Sequence, residues 1–341
     1  MMVRRGFIMP LALILMALAM ALIARVALRV NAEKAHMRSF ALRTQAELLA
    51  QGALPIVEAL LTGEHKKKAG DSEKKHAAVP PLLGLCLSMN RWQRFQFTAE
   101  RDGFSGEIAV YITAEAGKID LNRLYDFEKK EYRSAGNFDA KKFLVWISER
   151  LERITPDRSF SEIFDELVKQ RKEPFSDVGE LGAHRALAQF PRWPTQSKSA
   201  AAPEDQKQQP ALYDLFTVAS PQAFSLGIAT ESVAFLAGMK APAARTKDDG
   251  EKLQLLAQSL EKPIDPSLWN TLLAPLTGKE YTNIPRELVT AAVGEIQHPT
   301  VSVVIESIVE DIRYACAVLV VPHHIESQPV RYQTARFYTI L

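Results

Sequence analysis

The sequence predicts an α+β fold in which a long N-terminal helix packs on an antiparallel sheet and a large helical lobe is inserted into that sheet. Three observations predict it. An uncharged apolar run from Phe7 to Ala24 (FIMPLALILMALAMALIA) passes without a break into a segment of helical periodicity. Strand-like segments lie before about Leu124 and again after Leu212. Helical signals fill the interval between them. With 341 residues, 47% of them apolar and 24% charged, the chain can bury a full core.

The chain opens with a short basic segment, MMVRRG, residues 1–6. At about 1.5 Å per residue, the apolar run behind it just crosses a hydrocarbon layer of roughly 30 Å. A secretory signal would end its shorter apolar stretch in a polar, turn-like cleavage segment. Here the run continues through Arg25, Val26, Ala27, Leu28 and Arg29 with no breaker, which favours an uncleaved transmembrane anchor.

From Leu42 onward, Ala46, Leu49, Ala53, Ile56 and Leu60 mark one face of a helix, while Arg43, Glu47, Gln51 and Glu58 lie off it. Residues 7–64 thus read as one transmembrane helix continuing as an amphipathic rod, about 80 Å long at the helical rise. Pro55 predicts a bend. Two helices joined at Asn31 or Ala32 are the alternative. Orientation stays open at this point, because Arg4 and Arg5 oppose Arg25, Arg29, Lys34, Arg38 and Arg43 across the run.

His65 to Ala78 is a lysine-rich exposed loop. Residues 80–124 form the first part of the sheet. Within them Trp92–Thr98 and Glu107–Thr113 alternate apolar and polar residues around the turn-like Arg101, Asp102 and Gly103, which predicts a hairpin. The segment from Ala116 to Leu124 (AGKIDLNRL) reads as a short strand whose Asn122 caps the element that follows.

Residues 125–210 are expected to be the inserted helical lobe and a linker. Phe143, Trp146, Ile147, Leu151 and Ile154 have helical spacing; Thr155 with Pro156 and Ser159 with Glu162 are helix starts; Gln196 to Pro210 is linker-like. Residues 211–341 add a second helical segment and the remainder of the sheet. Strands are expected at Leu212–Ala219, Val301–Glu306, Tyr314–Val321 and Val330–Leu341, and helices near 231–238, 251–260 and 266–276.

The composition excludes several functions. Forty-two basic and forty acidic side chains leave a formal charge of +2, without the bias of a nucleic-acid binder. Neither Cys86 nor Cys316 belongs to a C-x-x-C pair, so zinc and thiol redox chemistry are not indicated. A disulfide between them and burial as two small hydrophobes both stay open. His323 and His324 are adjacent and would point to opposite sides of a strand, and Asp248 with Asp249 reads as a turn. No nucleophile elbow, zinc-protease helix or phosphate loop occurs, so no catalytic residue is assigned.

These residues resemble a known family. The leader ending RRG before FIMPLALIL, the AGKIDLNRL segment, the re-entry FTVAS at Phe216–Ser220 and the closing ARFYTIL are similar to type IV pilin-related proteins. They are more narrowly similar to the K-type minor pseudopilin of the type II secretion system. The resemblance implies a pilin-like fold and a prepilin leader cut by a prepilin peptidase between Gly6 and Phe7. It also implies a single pass through the bacterial inner membrane with the body in the periplasm, and partners among the major and other minor pseudopilins.

Major members carry Glu at the fifth mature position. Here that position is Leu11, which the resemblance implies is the mark of a tip subunit. Calcium is a cofactor in some K-type proteins, but no ligand set maps onto this chain and no metal residue is assigned. The sequence departs from the family at Asp120, where Asn is usual, and at Ser225 to Ala229. A minor pilin of a type IV pilus is the neighbouring alternative, and a membrane-anchored periplasmic hydrolase is the alternative of a different class.

Overall fold

The computed structural model describes residues 8–62, 82–152, 158–194, 210–218, 224–240, 255–257, 265–292, 299–323 and 331–340. Its first helix, α1, runs unbroken from Ile8 to Gly52 over 45 residues. The apolar run and the amphipathic segment are therefore one helix, and the joint at Asn31 or Ala32 does not exist. One residue separates α1 from α2, Leu54–Thr62. Pro55 sits second in α2, where an N–H has no helical partner to lose, and its ring would crowd the carbonyl of Gln51 in a continuous helix.

The helix face that packs is rotated from the one expected. Ala46, Ala50, Ala53, Val57 and Leu61 are buried, whereas Leu49, Ile56 and Leu60 are only half-buried along its edge. Small side chains at the centre let the helix backbone approach the sheet, and larger aliphatics then fill the shoulders. The approach is close enough for Ser307 Oγ to donate to the carbonyl of Ala46 at 2.6 Å.

The sheet beneath it has five strands: β1 (Trp92–Phe97), β2 (Gly106–Ala114), β5 (Val301–Val309), β6 (Ile312–His323) and β7 (Arg331–Ile340). They lie in that spatial order and every pair is antiparallel. β1 and β2 are the expected hairpin, with Phe95 opposite Ile108. The pairing of β2 with β5, Val110 opposite Ile305, joins the two distant parts of the chain into one sheet. From Ile108 to Ala114, β2 is buried on both faces, because α1 covers one side and the lobe the other. That double burial is why its alternation is less regular than that of a half-exposed strand.

Before β1 comes α3, Leu83–Ser88. The lobe holds α4 (Ala140–Leu151), α5 (Phe160–Lys169) and α6 (Glu231–Ala237), followed by a helix with a π-helical turn at Trp269–Leu273. Asp139 caps α4, accepting from the N–H groups of Lys141 and Lys142. Ser159 caps α5, its Oγ accepting from Glu162 N at 3.3 Å, as expected. Phe160 stacks on Phe216 at 5.0 Å and Phe164 on Phe175 at 5.9 Å, so aromatic rings make the lobe's core continuous with its root.

Two expectations are corrected here. Leu212–Leu215 is a helical turn, not a strand; only Phe216–Thr217, β4, is extended, and it pairs in parallel with β3, Ile119–Asp120. Asn122 is not a cap, because Asp120 accepts from Asn122 N at 3.0 Å and starts the turn itself. Ile154, Thr155 with Pro156, Asp248 with Asp249, and residues 196–209 lie outside the described residues.

Candidate functional site

Two regions depart from what a water-soluble domain requires. The first is the front half of α1. Every described residue from Ala12 to Ala41 is exposed. Leu13, Ile14, Leu15, Met16, Leu18, Met20, Leu22 and Ile23 are each more than half exposed. Each such side chain left in water forgoes roughly 1.5–3 kcal/mol of burial. Among the described residues this is the one helix long and apolar enough to cross a membrane. Among the described residues, the first hydrogen bond or ion pair from α1 to the body is Arg38 Nη2 to Glu310 Oε2 at 2.7 Å, at the tip of the β5–β6 hairpin.

The second region is the root of the lobe, where the chain leaves β2 and returns at β4. Glu115 and Lys118 are buried together, Lys118 Nζ donating to Glu115 Oε1 at 2.5 Å. Ser302 Oγ of β5 donates to the same oxygen at 2.5 Å, and Thr217 Oγ1 of β4 donates to Oε2. One carboxylate thus ties the exit turn, the re-entry strand and the sheet. Beside it, Asp214 accepts from Ser232 N at 2.8 Å and from the Tyr111 hydroxyl at 3.3 Å. Burial pushes the Asp214 carboxyl up, with Lys118 opposing that effect.

Gly117 is required at this root by close approach. A Cβ there would collide with the carbonyl oxygen of Ile228, and the backbone of residues 225–230 runs alongside, Ser225 N donating to Ala116 O at 2.7 Å. Asn122 clamps two lobe loops. Its Oδ1 accepts from Phe175 N at 2.8 Å, and its Nδ2 donates to Phe175 O at 3.0 Å. Burial raises the Asp120 carboxyl to about 6, with Arg123 and the neighbouring N–H groups pulling the other way. The segment from Ala116 to Leu124 is therefore the hinge-pin of the lobe.

Among the described residues, neither region combines a ligand-sized cavity with titratable groups. The cavity bordered by Glu115, Lys118, Trp193, Tyr213 and Thr217 has room for about 40 Å³, far below the roughly 300 Å³ at which ligand pockets begin. A larger groove of about 410 Å³ lies between α1 and β1, lined by Leu48, Leu49, Ile56, Phe97, Phe104 and Ile108, and carries no titratable group. Among the described residues no three His, Cys, Asp or Glu side chains come together as metal ligands.

The residues singled out in the sequence fall as follows. Gly6 and Phe7 lie outside the described residues. Leu11 is in the first turn of α1. Cys86 in α3 and Cys316 in β6 are both buried free thiols rather than a disulfide. Burial pushes each thiol up to about 12, so both stay protonated and unreactive at neutral pH.

No family model matches the chain, and no curated protein matches it in sequence. Among solved structures, it is similar to a chain of the GspK-GspI-GspJ complex of the type 2 secretion system from enterotoxigenic Escherichia coli. The identity is 14%, the match covers 92% of this chain and 99% of that one, and the TM-score is 0.39. The fold rests on the strand order and helix packing described above, not on this likeness.

Sequence reasoning missed Glu115, Thr217 and Ser302, which meet only in the folded chain. The one local signal was the unusual pairing of Glu115 with Lys118 three residues on, at the end of an apolar strand.

Proposed function

We propose that this chain is a minor pseudopilin of a type II protein secretion system, which helps begin or cap a short periplasmic pseudopilus during export. In this reading the prepilin peptidase cuts between Gly6 and Phe7. The front half of α1 holds the chain in the inner membrane by a single pass, and the body stands in the periplasm. The work is assembly with the major and other minor pseudopilins, and no catalysis is assigned to it.

The observation that carries the reading is the division of labour along α1. One continuous helix is bare and apolar over its first half and packed against the sheet by its second. A helix so built joins a membrane to a folded body without a flexible joint. Leu11 places no carboxylate near the start of the span, which suits a subunit with no neighbour above it.

Co-expression with and without a prepilin peptidase, followed by sequencing of the mature amino terminus, tests the reading. Phe7 as the first residue, and only with the peptidase, is the expected result. A terminus at Met1 or near Ala32 in its presence would overturn it.

A further inference from the structure

Among the described residues, Arg25 and Arg29, the basic side chains immediately beyond the apolar run, make no hydrogen bond or ion pair to the folded body. Arg25 is exposed and makes no hydrogen bond or ion pair among the described residues. Arg29 meets Glu33 at 3.0 Å, with side chains 83% and 64% exposed. An exposed pair of this spacing contributes only about 0.3–0.5 kcal/mol and is readily exchanged for another anion. Arg38 differs, since Glu310 of the body already holds it.

Position along the helix separates these cations further. Arg25 directly follows Ala24, the last residue of the run, and at about 1.5 Å per residue Arg29 lies roughly 7 Å beyond Ala24. The headgroup layer on each side of the hydrocarbon is about 5–7 Å deep. If the run fills the hydrocarbon, both guanidinium groups stand in the phosphate layer, within reach of their long side chains. Lys34 is roughly 15 Å and Arg38 roughly 21 Å beyond Ala24, clear of it.

Residues four apart share one face of a helix, so Arg25 and Arg29 present their planar donor forks together. Glu33 is the only acid between Arg25 and Met37.

We propose that Arg25 and Arg29 form a binding site for the headgroup of an anionic phospholipid, which fixes the depth of α1 and so the height at which the body is carried. The proposal rests on membrane insertion of α1. Charge complementarity with an anionic bilayer also gives a reason for cations on the body side of the span, where counting alone would not place them. Among the described residues the body adds none of its own at this level, because its first hydrogen bond or ion pair with the helix, at Arg38, lies about two and a half turns beyond Arg29.

The full chain, reconstituted into vesicles of phosphatidylcholine mixed with phosphatidylglycerol and then extracted in mild detergent, would be examined by native mass spectrometry for retained lipid. Phosphatidylglycerol should be retained in preference to phosphatidylcholine. At about 1 kcal/mol per cation, near fivefold, the doubly substituted Arg25→Gln/Arg29→Gln chain should lose roughly five- to thirtyfold of that preference. Lys34→Gln should keep it, and excess inorganic phosphate should not displace the lipid. An unchanged preference in the double variant, an equal loss in Lys34→Gln, or displacement by inorganic phosphate would overturn the proposal. Alkaline carbonate extraction run on the same vesicles keeps the two ideas apart: release of the wild-type chain sinks the membrane reading itself.

Discussion

Between Met9 and Leu28, α1 leaves roughly five to six turns of apolar surface bare, whereas at the root of the lobe Glu115, Lys118 and Asp214 are shut away from water. Both regions break the usual distribution of polar and apolar groups, in opposite directions. The difference lies in where the compensation is found. Each buried charge at the root has partners inside the chain: Lys118, Ser302 and Thr217 for Glu115, Ser232 and Tyr111 for Asp214. The bare leucines and methionines of α1 have none among the described residues. The root is thus a self-contained structural device, and the front of α1 points outward to a membrane or to other chains.

The largest effect that would break this contrast is at the root. Lys118→Met strands Glu115 as a buried, uncompensated charge, and should lower stability by about 3–5 kcal/mol. Glu115→Gln/Lys118→Met should recover much of that loss. Urea unfolding followed by tryptophan fluorescence measures both, and equal destabilisation of the single and double variants would refute the pairing. An apolar-to-polar change in the bare half should leave this unfolding curve where it is.

In the front half, Leu11→Glu introduces a carboxylate whose cost in a span is about 2–3 kcal/mol if unpaired. Membrane retention or assembly should fall, with body stability unaltered. Improved assembly of Leu11→Glu, or wild-type protein repeated along a filament shaft, would count against a tip position.

Asp120 sharpens the contrast from a third side, as a half-buried acid with imperfect compensation. Its folded value of about 6 lies above the ordinary 3.8. Ionisation is therefore unfavourable in the folded state. The stabilisation it carries is complete below about pH 4 and is lost as pH rises through about 6. Arg123 and Glu115 are the charged groups facing it, one lowering and one raising its value. Asp120→Asn keeps an oxygen for the N–H of Asn122 and removes the charge, so it should stabilise the chain by about 1–3 kcal/mol at pH 7 and not at pH 4. A pH-independent difference between the two proteins would rule this out.

The smallest effect is at the contact between helix and sheet. Ser307→Ala removes the donor to Ala46 O and should cost about 0.5–1.5 kcal/mol. Hydrogen exchange along α1 should quicken near Ala50 and Ala53 and stay the same at Leu18. Uniform quickening along the whole helix would show that the two halves are not independent.

Much of the molecule was legible residue by residue. The length of α1, the break at Pro55, the β1–β2 hairpin, the cap at Ser159 and the three late strands follow from periodicity, propensity and turn chemistry, all of which act within a few residues. The errors share a cause. Leu49, Ile56 and Leu60 look more like a core than Ala50 does. Yet the sheet accepts the face that lets backbones approach, and nothing local to the helix records that. LYDL has strand-forming residues but turns helical because its Asp214 is wanted by Ser232 and Tyr111.

What the sequence determined by itself is therefore the set of elements and the presence of one uncovered apolar helix, since both depend on neighbours along the chain. Only the tertiary structure decided which face of α1 is buried, that Asn122 is a clamp and Asp120 a cap, and that Glu115 gathers Lys118, Thr217 and Ser302. Those contacts join residues as far as 261 positions apart. Electrostatic and hydrogen-bonding partners at that separation are chosen by the fold as a whole, because burial makes each of them obligatory once the chain has brought them together.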